Sequence, residues 1–64
     1  MTVKEINELT WCGGNGRNVY VAMVPAGTPN RVTRARTRGG KMQVKILGGD
    51  WVTIDKVNFT VWAE

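Results

Sequence analysis

Two glycine pairs, Gly39-Gly40 and Gly48-Gly49, cut the second half of the chain into runs too short to be anything but strands. Between them Met42, Val44 and Ile46 alternate with Lys41, Gln43 and Lys45, the period of two that gives a strand one apolar and one basic face. Before Gly39, residues 31–37 alternate as well, with Arg34, Arg36 and Arg38 on one face and Thr33, Ala35 and Thr37 on the other. A Gly-Gly pair between two such runs is typical of a two-residue hairpin turn. After Gly48-Gly49-Asp50, Trp51 to Ile54 reads as a strand with Val52 and Ile54 on one face and Trp51 and Thr53 on the other. Asp55-Lys56 then interrupts as a single helical turn. Val57, Phe59 and Val61 alternate with Asn58, Thr60 and Trp62 in a last strand.

The first half obeys different rules. Thr2 stands three residues before Glu5, the spacing of a capping box, and Val3, Ile6 and Leu9 recur every third residue, which gathers them on one side of a short helix. Two turns are not stable alone in water, so this stripe is expected to dock on the rest of the fold; the competing reading is an edge strand. Gly13, Gly14 and Gly16 break the periodicity. Residues 19–24 are continuously apolar, as in a strand covered on both sides, and are expected to form the central strand. Pro25 and Pro29 make the next six residues a loop.

Five short strands in 64 residues have to curl to bury one face and hide their edges, so the fold class is mainly all-β, a small five-stranded barrel with a short N-terminal helix. Margins are thin. Burial of roughly 6,200 Å² on folding, about 60% of it apolar, contributes ~90 kcal/mol against ~95 kcal/mol of ordering cost. The domain must therefore be compact and regular, or lean on a partner or on a second copy of itself as a homodimer. The expected core is Val19, Val21, Met42, Val44, Ile46, Val52, Ile54, Val57, Phe59 and Val61.

The run from Met42 to Val61, with its strand, Gly48-Gly49 turn, strand, single-turn connection and closing strand, resembles the back half of an SH3-like barrel. It is similar in particular to the small SH3-like proteins encoded by phages and prophages. The peptide groove of signalling SH3 domains resembles a row of aromatics beside an acidic loop. Here the corresponding loops are basic and glycine-rich, which disfavours proline-rich peptides. The alternatives are an OB-like barrel, which has no room for its helix between Leu47 and Trp51, and an open sheet capped by the N-terminal helix and completed by dimerisation.

Net charge is +4, and its distribution says more than its sum. No acidic residue lies between Glu8 and Asp50, whereas Arg17, Arg31, Arg34, Arg36, Arg38, Lys41 and Lys45 all do. Such a block draws polyanions, nucleic acid first and acidic proteins second; its bland counterpart is a solvated face that keeps a small protein soluble. Catalysis is not expected. The chain has no histidine and one cysteine, Cys12, which reads as a small buried hydrophobe rather than a nucleophile or metal ligand. No cofactor is implied. The loop of residues 13–16 followed by Arg17 lacks the Lys-Ser/Thr of a nucleotide-binding loop and reads as a connector able to offer amides to a phosphate. The lone thiol suggests a reducing compartment, the cytoplasm; no run approaches the ~18 apolar residues of a membrane span, and no membrane partner is expected.

If Val44 and Ile46 point inward, Lys41, Gln43 and Lys45 point outward, and across the hairpin Arg34, Arg36 and Arg38 share their face. Trp51 and Trp62 have the same outward parity. Arginine forks for phosphates and indoles for bases are the materials of a nucleic-acid interface, formed here by Arg17, Arg31, Arg34, Arg36, Arg38, Lys41, Lys45, Trp51 and Trp62. In the competing reading the two tryptophans pack against the helix or seal the barrel rim. Two functions follow: a non-enzymatic module that binds the phosphate backbone of DNA or RNA, or a small inhibitor or adaptor that docks its basic face on an acidic host protein.

Overall fold

The computed structural model describes residues 1–11 and 17–64; the readings of Cys12 and of the 13–16 loop fall outside them. A helix, α1 (Val3–Thr10), precedes five strands, β1 (Val19–Met23), β2 (Asn30–Arg38), β3 (Lys41–Ile46), β4 (Trp51–Ile54) and β5 (Phe59–Ala63). The capping box forms: Thr2 Oγ1 accepts the Glu5 N–H at 3.1 Å, and Glu5 Oε1 accepts the Thr2 N–H at 3.0 Å. Ile6 is fully buried, with Val3 and Leu9 packed beside it, so the stripe docks on the sheet and the edge-strand alternative falls. No helix among the described residues is long and apolar enough to cross a membrane.

The strands form one antiparallel sheet in the order β4-β3-β2-β1-β5. Gly39 and Gly40, at φ 61° and 76°, turn the β2–β3 hairpin in the left-handed region that only glycine enters cheaply. β2 does double duty. Its first three residues pair with β1, from Val21↔Asn30 to Val19↔Val32, while β3 pairs with it from Val32↔Ile46 to Arg38↔Lys41, so Val32 has a strand on each side. A bulge between Val32 and Arg34 shifts the β2–β3 register and bends the strand where its pairing with β1 ends.

Three expectations need correction. The central strand is β2, not residues 19–24, because β2 is long enough to serve both halves of the sheet. Among the described residues no ladder joins β4 to β5, so the sheet is open rather than a closed barrel; α1, lying against β2 and β1, covers apolar surface that curling would otherwise have to bury. As the short connection from Leu47 to Trp51 requires, no helix stands between β3 and β4, which removes the OB-like alternative. Val57 is not core but 82% exposed, and the last strand starts at Phe59. Asp55 is the cause. Its Oδ1 accepts the N–H groups of Val57 at 3.1 Å and Asn58 at 2.7 Å, and the Phe59 N–H closes the turn on the Asp55 carbonyl at 3.1 Å. The amides that would have begun a ladder are spent on a turn.

The buried core is Ile6, Val19, Val21, Val32, Ala35, Val44 and Ile54, with Met42, Ile46, Val52, Phe59 and Val61 half-buried around it. Val32 enters against strict alternation, which puts it on the arginine face. The extra residue at the bulge resets the parity, so that Val32 and Ala35 both face inward.

Candidate nucleic-acid interface

The outward side chains of the β2–β3–β4 half are set by register. Arg34 lies opposite Lys45, which lies opposite Trp51; Arg36 opposite Gln43, which lies opposite Thr53; Arg38 opposite Lys41. Two directly facing like-charge pairs in one hairpin are locally destabilising. Such a cost is offset when an anion sits on them, which a merely solvated face does not require.

Within this patch some groups are held and others are presented. The Arg36 guanidinium lies 4.0 Å from the centroid of the Trp51 ring, and its Nε donates to Gln43 Oε1 at 2.8 Å. Gln43 in turn donates to Thr53 Oγ1 at 3.0 Å, and Lys45 Nζ donates to the Gly49 carbonyl at 2.8 Å. Arg34, Arg38 and Lys41 are exposed. At the patch margin the Asn58 main-chain N–H, then its side-chain amide, hold the Asp55 carboxyl below its ordinary range, and Lys41 adds a smaller pull.

The remaining site candidates lie elsewhere. Arg31 sits across the bulge, opposite Tyr20, and Tyr20 lies opposite Trp62. The rings of Tyr20 and Trp62 stack at 5.8 Å and 27°, so the Trp62 indole is half-buried against an aromatic neighbour. Arg17 donates its Nε to the Glu64 carbonyl at 3.3 Å and borders a small hollow of about 290 Å³ with Arg31 and Leu47. The structure thus gathers Arg34, Arg36, Arg38, Lys41, Lys45 and Trp51, and leaves Arg17, Arg31 and Trp62 apart from them.

Sequence reasoning passed over Trp11. It follows the last residue of α1, off the Val3/Ile6/Leu9 stripe, and is 70% exposed. That off-stripe position was the available signal. Trp11 walls an open groove of about 850 Å³ between α1 and β2, with Arg34, Arg36 and Trp51 on the opposite side. At its floor the Asn7 side chain grips one residue of β2: its Nδ2 donates to the Ala35 carbonyl at 2.9 Å and its Oδ1 accepts the Ala35 N–H at 2.8 Å. No protein-family model, curated protein or solved structure matches the chain.

Proposed function

We propose that this protein is a non-enzymatic module that binds nucleic acid through its phosphate backbone, using the outward face of β2, β3 and β4. The observation that carries this reading is the two pairs of facing cations, Arg34 with Lys45 and Arg38 with Lys41, flanking the Arg36–Trp51 stack. Within one strand, outward side chains two residues apart stand about 6.7 Å from each other, so β2 presents its arginines as a regular row along which a polyanion can lie. The bent β2 shared between two halves, the tight turn after β3 and the single turn before β5 support an open variant of the SH3-like arrangement.

Salt dependence tests the reading. Anisotropy of a labelled oligonucleotide should give an affinity that falls steeply with salt, with a log–log slope reflecting about four to six phosphates. Arg34→Ala, Arg38→Ala and Lys41→Ala should each remove about one unit of slope and leave the fold intact, because all three side chains are exposed. Absence of binding tighter than ~100 μM at ~50 mM salt to any DNA or RNA would end this reading in favour of an acidic protein partner.

A further inference from the structure

The groove between α1 and β2 asks for a more specific occupant than a row of phosphates. β1 covers β2 only at residues 30–32, so among the described residues no strand lies on that side of residues 33–38, and the groove opens along residues 33–36. An added peptide strand would need the main chain of Ala35 at the middle of this edge. Asn7 already holds both of its groups, at 2.8 and 2.9 Å, which closes the edge to strand addition and leaves a space bounded by side chains.

Those side chains are unusual for a surface that only neutralises charge. Trp11 is 70% exposed, an apolar area that phosphate binding does not use. Trp51 lies under the Arg36 guanidinium at 4.0 Å, and Gln43 accepts a hydrogen bond from that guanidinium, so the half-buried indole is held in place where it lines the groove. Duplex bases are stacked on one another and cannot enter a groove to reach either ring. Unpaired bases can, and stacking on aromatic side chains is how single strands are commonly held.

We propose, building on the nucleic-acid reading above, that the ligand is single-stranded and that Trp11 and Trp51 take its unpaired bases in this groove. Charge sets the direction in which the strand lies. Arg34 and Arg36 line the sheet side, whereas the helix side carries Lys4 and Glu8 together. The phosphates therefore follow β2, away from the Glu8 carboxylate, and the bases turn toward Trp11. Phosphate contacts and base contacts are thus divided between the two walls.

The test compares one 12-nucleotide DNA as a single strand and as a duplex at matched salt, with Trp11→Ala, Trp11→Phe and Glu8→Gln. The single strand should bind at least about tenfold tighter than the duplex. Trp11→Ala should weaken single-strand binding by about 5- to 150-fold without changing the salt slope or the duplex affinity, and Trp11→Phe should restore part of the loss. Glu8→Gln should tighten single-strand binding a few-fold by removing the groove's carboxylate. Equal affinity for both forms, with Trp11→Ala silent and the salt slope intact, overturns the single-strand inference and leaves phosphate binding standing. Failure of both forms to bind overturns both.

Discussion

On one side of the bulge at Thr33, the outward face of β2, β3 and β4 carries Arg34, Arg36, Arg38, Lys41 and Lys45 around Trp51; on the other, β1 and β5 present Tyr20, Thr60 and Trp62, with Arg31 of β2 at the seam. Each half contains one half-buried outward tryptophan, and each treats it differently. Trp51 carries a guanidinium on its ring, while Trp62 is stacked with a phenol. Identical strand parity therefore does not make identical sites. What an indole can do is decided by which side chain on the same face of the sheet reaches it: an arginine keeps it in a charged setting, and a tyrosine absorbs it into the packing.

The comparison can be broken most forcefully from below. Ile6 is fully buried on the helix that lies against both β1 and β2. Ile6→Ala should cost about 2–5 kcal/mol, a large share of the stability of so small a domain. Circular dichroism and tryptophan fluorescence should lose their signals in one coincident transition. Two separated transitions would show that the halves unfold as independent units.

Double-mutant cycles sharpen the contrast between the tryptophans. The Tyr20/Trp62 cycle should give a coupling of about 0.5–1.5 kcal/mol in urea unfolding, and Trp62→Ala should leave the salt slope of oligonucleotide binding unchanged. A slope that changes with Trp62 would place the aromatic half in the interface and erase the distinction.

The smallest effect lies at the β4–β5 turn that joins the two halves. Asp55 is held below its ordinary value by the Asn58 hydrogen bonds, so its contribution is present above that ordinary value and is lost as pH falls through the lowered one. Wild type and Asp55→Ala should differ in urea midpoint at neutral pH and converge in acid, once the pH has fallen through the lowered pKa of the carboxyl. A difference that persists in strong acid would mean that the carboxylate is not what holds the turn.

What could be read from the chain was what neighbouring residues decide among themselves. The Thr2/Glu5 box, the Gly39-Gly40 hairpin and the Met42/Val44/Ile46 alternation are local, and the structure has all three. The bulge was hidden because it falls at a threonine within an unbroken alternation, with no glycine to mark it, and so Val32 was left out of the expected core. Val57 continued a strand pattern, but the Asp55 carboxylate competed for the same amides at shorter range and won. The apolar run at residues 19–24 reflects inward Val19 and Val21 together with outward Ala22, also nearly buried, rather than a central place in the strand order. At the candidate site, the arginine row was legible from parity, whereas the groove was not, since Trp11 and Trp51 are brought to it by the docking of α1 and no spacing in the chain records that.

The Asn7–Ala35 clasp also has a meaning in time. The Ala35 amide proton is kept from solvent by a side chain on a two-turn helix, whereas amides of the β2–β3 ladder are kept by another strand. Exchange with deuterated water at Ala35 then needs only the lifting of α1, and exchange within the ladder needs the sheet itself to part. A single proton thus clocks how often the helix comes away, independently of how often the whole molecule unfolds.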